Sequence, residues 1–327
     1  MKAIALVVGT KQTRTTGKLL SRVLHGDYLE DIMPVNHRYN LIWRWGNGHT
    51  LIPDFGGKII NRGSAVSKNK AQMRTWLLSK GVQCPKIFTS DTIGEAKYPL
   101  IARPVYHMRG RDFNIVENQM QAIGFLEHGY YLQEIVQNKD EFRVFAFLGK
   151  ILECNIKVQV KEPRTRMNKL IKNFKTGYVF KRVRLVNMPA NLITHCRTAQ
   201  GMSGLDFCAI DCCVDNVNNP YIFELNAAPG LIERKAQTLC ERILHHLGYE
   251  MPTERTPTVP SVASVEEAEM EDDIVDDTIL PPVPGSLDEH LRQHLTETTF
   301  TPNPLYFQPQ YLRIRRVGPV DTNRTDV

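Results

Sequence analysis

The stretch YIFELNAAPG (221–230) places an acid, Glu224, and an amide, Asn226, two positions apart in an apolar run. In a strand, such residues point to one face. Just upstream, FCAIDCCVD (207–215) is a second apolar run with one internal acid, Asp211. The residues VNNP join the two and read as a hairpin connection. Two carboxylates and a carboxamide on neighbouring strands offer hard oxygen donors to a cation. Few protein donors, completed by phosphate and water, are the Mg²⁺ pattern. The competing reading is structural, with Asp211 and Glu224 paired to nearby Lys or Arg. For one strand carboxylate alone, that reading is the commoner one. For the triple, with a small-residue turn behind it, the metal reading leads.

A metal that holds phosphates needs cationic neighbours. Arg103 ends the run PLIAR, and Arg109 and Arg111 flank Gly110 in the loop YHMRGR. Glycine lets backbone approach phosphate oxygens, and flanking arginines add charge. Arg143 and Lys157 sit on opposite arms of a second apparent hairpin, EFRVFAFLGKILECNIKVQV (141–160). Lys70 falls in a helix's first turn, where a lysine is ordinarily just solvated. The run QEIV (Gln133, Glu134, Ile135, Val136) is an apolar strand end that can present backbone groups to a purine edge. Glu141 follows a short linker and can accept from ribose hydroxyls. For QEIV, a strand running into a solvated loop is an equal alternative.

These residues need a framework of strands and helices. AIALVV (3–8), YNLIWRWGN (39–47), KIINRG (58–63) and KIFT (86–89) read as strands, with a helix from Ser67 to about Lys80 closed by Gly81. YPLIARPV (98–105), DFNIV (112–116) and GYYLQEIV (129–136) follow as strands around a short helix at 119–127. The 141–160 hairpin turns at Leu148-Gly149-Lys150. Asn187-Met-Pro opens a long helix, and ERKAQTLCERILHHLGYE (233–250) is the last helix of the body. The class is α/β, grading into α+β.

Composition bounds the reading. The chain has 327 residues, 42% of them hydrophobic, and no apolar run long enough for a membrane helix. Seven cysteines without a CxxC pair point to reduced thiols in a cytoplasmic setting and away from structural zinc. Residues 251–327 hold 14 acids against six arginines, a net of −8. The whole chain is +6, so the first 250 residues stand at +14. A basic body suits an anionic ligand or an acidic partner. No nucleic-acid-binding signature accompanies that charge, so no nucleic acid is expected. The tail carries 10 of the 19 prolines and the acidic run VEEAEMEDDIVDD (265–277) and reads as disordered. Its exceptions are a short helix at 286–295 and the aromatic–basic PLYFQPQYLRIRR (304–316), a candidate for tail-mediated protein contacts.

Taken in order, the pieces resemble the ATP-grasp superfamily, nearest to its carboxylate–amine ligases such as the RimK-like ribosomal-protein glutamate ligases and the glutathione synthetases. The match runs from about Ser67 to Gly248, through KNKAQMRTWL, YPLIARP, QEIV, EFRVF, GLDFCAID and FELNAAPG. The Asp on one strand and E-x-N on the next are its most specific part. The resemblance implies two α/β subdomains gripping ATP over 67–250, a small α/β region at 1–66 before them, and the tail after. It implies two Mg²⁺ ions, replaceable by Mn²⁺, with Asp211 on one, Asn226 on the other and Glu224 bridging. Gln133 to Val136 become the adenine hinge, with Glu134 on the amino group, and Glu141 the ribose acid. Arg143 and Lys157 take phosphate or acyl-phosphate contacts, and Asn173 and Lys70 match further site positions.

Two departures stand out. The family's phosphate lysine is Arg103 here, and its glycine-rich loop shrinks to Met108-Arg-Gly-Arg-Asp112. Arginine keeps the charge but not the point geometry. The Arg-for-Lys exchange also resembles ATP-grasp proteins of phage genomes, which would place the chain in a host cytoplasm. The implied activity is an ATP- and Mg-dependent ligase that joins a carboxylate, such as an amino acid, to an amine on a small molecule, peptide or protein. Nucleotide binding without turnover, in a scaffold, and a kinase on the same fold are the competing functions. Substrate choice is expected on variable loops at 14–38 and 161–180, the latter opening with the basic run KEPRTRMNKLIKNFKTG.

Overall fold

The computed structural model describes residues 4–30, 39–46, 56–62, 69–104, 113–162, 170, 172 and 176–252. Arg109, Arg111, Asn173, the acidic tail and its expected helix at 286–295 lie outside these residues. No described helix is long and apolar enough to cross a membrane.

The chain opens with β1 (Ala5–Gly9), α1 (Arg14–Val23), β2 (Asp27–Glu30), β3 (Leu41–Arg44) and β4 (Lys58–Ile60). The four strands are parallel, in the order β2-β1-β3-β4. ALVVG is buried along its whole length, as a parallel strand covered on both faces must be. The substrate-loop expectation at 14–38 is corrected here. Residues 14–23 are helical, with Leu19, Leu20 and the following Leu24 in the core, and 27–30 pair with β1.

Next come α2 (Lys70–Ser79), β5 (Ile87–Phe88), β6 (Leu100–Pro104), β7 (Asn114–Val116), α3 (Gln119–Glu127) and β8 (Tyr130–Glu134). Asn69 caps α2, its side chain accepting from the amides of Ala71 and Gln72 at 3.0 and 3.2 Å. The strands form an antiparallel sheet in the order β5-β8-β6-β7, closed by Phe88, Leu100, Val116, Ala122 and Leu132.

The largest sheet holds β9 (Asn138–Phe147), β10 (Lys150–Gln159), β11 (Tyr178–Val183), β12 (Phe207–Asp215) and β13 (Pro220–Asn226). It is antiparallel, in the order β11-β10-β9-β12-β13. The β9–β10 turn puts both Leu148 and Gly149 at positive φ, 45° and 78°, the form that suits the right-handed twist of a hairpin. The expected loop at 161–180 is likewise corrected at its end, because Tyr178 begins strand β11.

Helices cover both faces of this sheet. On one face Cys208, Ile210, Cys212 and Val214 pack against Met73 and Leu77 of α2 and against Leu192, Cys196 and Ala199 of α4 (Ala190–Ser203). On the other, Phe145, Phe147, Phe207 and Ala209 meet Trp43, Trp45 and the apolar stripe of α5 (Glu233–Leu247). The alternation of β12 therefore serves two cores at once. All seven cysteines are free and buried, and burial pushes the Cys84 and Cys154 thiols up to about 12.

Candidate nucleotide and metal site

Phe207 and Ala209 lie in the core beneath α5, and the next residue of that alternation is Asp211. Its partner on β13 is Glu224. The pairing shifts there: Cys212 faces Ile222 and Asp211 faces Glu224, so β13 carries one extra residue, Phe223. This bulge lets Ile222 stay in the apolar core while Glu224 turns to the opposite face. Asn226 pairs with Ala209 on that face. Its side-chain oxygen accepts from the Ala228 amide at 2.9 Å and fixes the start of the Ala-Ala-Pro-Gly turn.

Register carries this row across the whole sheet. Arg182 faces Asn155, Asn155 faces Arg143, Arg143 faces Asp211 and Asp211 faces Glu224. Arg143 donates twice to Asp211, from Nε to Oδ1 at 2.8 Å and from Nη2 to Oδ2 at 3.1 Å. Burial pushes the Asp211 carboxyl up, but Arg143 beside it, with Lys157 and Lys70 behind, outweighs that and holds it below the ordinary carboxylate value. Lys70, from the first turn of α2, places Nζ 2.8 Å from Glu224 Oε2. The two acids expected to hold metal thus each carry a basic partner.

A second cluster lies two residues along the strands, on the same face. Glu141 is buried, and its Oε2 meets Lys157 Nζ at 3.1 Å. Its Oε1 meets Lys172 Nζ at 3.2 Å and accepts from Asn138 Nδ2 at 2.7 Å. Phe180 of β11 lies over both clusters, its ring 4.7 Å from the Arg143 guanidinium and 5.8 Å from Lys157 Nζ.

Arg103 stands on β6 opposite Tyr131, 5.3 Å from the Phe113 ring. Its Nε is buried without a hydrogen-bond partner. Burial lowers its pKa, while the charge of Glu224 favours its protonated form. Gln133 turns its side chain inward, where the buried Arg74 donates to it. Glu134 binds the Lys86 amide through Oε1 at 2.9 Å, so its carboxylate is engaged with backbone. Glu134, Ile135 and Val136 line a small cavity of about 200 Å³ shared with Asp215 and Tyr221.

Sequence reasoning passed over Arg74, Asn138, Asn155, Lys172 and Lys235. Arg74 lies one turn after Lys70, and its Nε donates to the Phe223 carbonyl at 3.0 Å. It therefore satisfies the bulge residue of β13 while holding Gln133 of β8. Lys235, from the first turn of α5, lies 2.9 Å from Asn155 Oδ1 and 2.7 Å from Glu153 Oε1. Their one sequence signal was periodicity: Arg74 recurs four residues after Lys70, and Asn155 two before Lys157.

The N-terminal sheet reaches this site at Gly46, just past β3, where φ is +75°. A Cβ there would sit 2.7 Å from Thr13 Cγ2 and 3.0 Å from Ala228 Cβ, so only glycine allows the approach to the turn after Asn226.

Among the described residues, no three His, Cys, Asp or Glu side chains gather into a metal-binding cluster. The candidate set is two carboxylates and one amide, a donor set whose chemistry fits a hard cation that keeps water and phosphate ligands.

No family model matches this chain, and no curated protein does. Solved structures do. The ATP-grasp ligase PsnB, complexed with a minimal precursor, is 13% identical, over 76% of this chain and 100% of that one, at a TM-score of 0.55. The D-alanine–D-alanine ligase of Bacillus anthracis is 14% identical, over 75% and 98%, at 0.54. Macrocyclase MdnC of Microcystis aeruginosa MRC, bound with precursor peptide MdnA, is 11% identical, over 74% and 99%, at 0.52. None of these neighbours bears on a viral source. At such identities the likeness establishes architecture, and the chain has the fold of the ATP-grasp ligases.

Proposed function

We propose that this protein is an ATP- and Mg²⁺-dependent ligase that joins a carboxylate to an amine through an acyl phosphate. The observation that carries the reading is the row Arg143–Asp211–Glu224, with Lys70 in contact, on this fold. Asp211, Glu224 and Asn226 would hold the metal. Bound Mg²⁺ would screen the triphosphate and favour attack on its terminal phosphorus.

The chain's own residues do the rest. The Glu134–Val136 strand end receives the base, and Glu141, set by Lys157 and Lys172, receives the ribose hydroxyls. Arg103 lies near Glu224 and supplies positive charge to the phosphates. With a metal held at Asp211, the Arg143 guanidinium would be free to donate to the oxyanion that develops when the amine attacks. Lys70, paired with Glu224 here, would donate to the phosphate oxygens. The carboxylate and the amine are substrates of open identity, with the amine on a small molecule, a peptide or a protein.

The test is incubation with ATP, Mg²⁺ and pooled amino acids, with ADP and phosphate measured against time. Turnover in the wild type and its loss in Glu224→Ala are expected. Equal rates in the two would sink the ligase reading.

A further inference from the structure

The row that begins at Glu224 ends at Arg182, on the outer strand of the sheet. Strands lie about 4.8 Å apart, so three spacings set Arg182 roughly 14 Å from Asp211. Beside it opens a cavity of about 600 Å³ between β10, the end of β11 and α5. Three arginines line it: Arg182 and Arg184 from β11 and the residue just after it, and Arg242 from α5. Arg242 is anchored by donating to the Leu152 carbonyl. Among the described residues, Arg182 and Arg184 have no acidic partner, and both are exposed.

The cavity's one acid is already neutralised. Glu153 is buried and ion-paired with Lys235, 2.7 Å away. Lys235 and Arg242 are seven residues apart and so share a face of α5. Between cavity and metal row lies Asn155, 2% exposed, whose Nδ2 is buried without a partner. A buried donor left unpaired is costly, so something polar is expected to reach it. The lip of the cavity is apolar: Leu185 is 41% exposed and the neighbouring Val186 84%.

We propose that this cavity is an anion subsite that takes carboxylate groups carried on an extended chain, with apolar groups resting on Leu185 and Val186. Arginine pairs carboxylates bidentately, and three of them facing one neutralised acid leave excess positive charge there. Asn155 and Lys235 connect the subsite to the reaction row. Its role as the anchor for a ligase substrate rests on the function proposed above. The anion binding does not.

The experiment is fluorescence polarisation of the full chain with a labelled Glu-rich hexapeptide, without ATP. Wild type is expected to bind it and to ignore a Lys-rich peptide. Arg182→Glu/Arg184→Glu should weaken binding at least tenfold while Mg-ATP binding, read by calorimetry, stays within twofold. The milder Arg182→Gln/Arg184→Gln should give an intermediate loss and shows that the effect is not misfolding. Displacement by free glutamate at comparable concentration would overturn the extended-chain ligand in favour of small carboxylates, and failure to displace supports it. Equal peptide affinity in wild type and double variant, or no binding by wild type, overturns the subsite. ADP release is followed in parallel. Peptide binding without any ATP turnover would remove the ligase reading and leave the subsite standing.

Discussion

Glu224 faces Asp211 because β13 carries one residue more than β12 between their paired positions, and that residue is Phe223. In an unbroken strand Ile222 and Glu224 would share a face. Ile222 belongs to the apolar core under α2 and α4, so Glu224 would be driven into it. The bulge separates them. Deleting Phe223 should therefore abolish stabilisation by Mg-ATP in a thermal-shift assay and lower the melting temperature as well. Phe223→Ala keeps the residue count and should retain the Mg-ATP shift. A deletion variant that still responds to Mg-ATP would show that the bulge does not aim Glu224.

Arg74 holds the bulge in place. Arg74 is 2% exposed, and its guanidinium bridges the Phe223 carbonyl and the Gln133 side chain, tying β13 to β8. Arg74→Met leaves the buried Gln133 acceptor unpaired, at about 1–3 kcal/mol, and the part-buried Phe223 carbonyl without its donor as well. Urea unfolding should show a loss of that order. Arg74→Met/Gln133→Leu removes one orphan acceptor and should recover part of it. If the double variant were less stable than the single by the full cost of Gln133→Leu alone, the two side chains would be uncoupled.

The strands that carry the site were legible from FCAIDCCVD and YIFELN, because apolar alternation with a single acid is a strong pattern. Their register was not. Simple alternation has no means of reporting the extra residue at Phe223, which appears only when two cores compete for Ile222 and Glu224. The loop expected at 161–180 overlaps only the start of β11, an outer strand that carries Phe180, Lys181 and Arg182 in the open and buries too little to show a period. Helix α1 was missed for a related reason: Arg14-Thr-Thr-Gly is a poor helix former, and burial of Leu19 and Leu20 against the parallel sheet overrides it. Arg74 escaped notice since a charged residue on a helix is ordinarily solvated, and nothing local marks the one that is buried. The fold was recoverable because Asp211, Glu224 and Asn226 lie on adjacent strands. The partners that reach them from α2 and α5 depend on tertiary packing.

His195 gives the fold a pH dependence. Its Nε2 accepts from the Gln83 amide at 2.6 Å, which requires that nitrogen to be unprotonated. Burial lowers its pKa from 6.5. The unfolded chain then binds the proton more readily, so this contribution to stability is complete above about pH 6.5 and declines as pH falls toward the lower folded value. Melting temperatures of wild type should drop between pH 7.5 and 5 by more than those of His195→Gln, which offers an acceptor without a titration. Parallel curves for the two proteins would exclude His195 as the source.

Arg143 and Lys70 stand in for a cation at the two carboxylates, with N–O distances of 2.8 Å in both pairs. A metal held there as proposed would have to compete with them. Removing Arg143 should then have opposite effects on binding and on chemistry. Arg143→Met leaves Asp211 without its bidentate partner, so Mg²⁺ or Mn²⁺ should bind more tightly in the absence of nucleotide, by roughly tenfold for the 1.4 kcal/mol or more that a charged hydrogen bond represents. The same variant loses the donor proposed for the developing oxyanion, and turnover should fall by about 10²–10³. Mn²⁺ titration followed by electron paramagnetic resonance reads the first effect, and ADP release at saturating metal reads the second. An Arg143→Met protein with weaker metal binding would mean that Arg143 supports the metal site and does not compete with it, and the exchange between guanidinium and cation at Asp211 would be wrong.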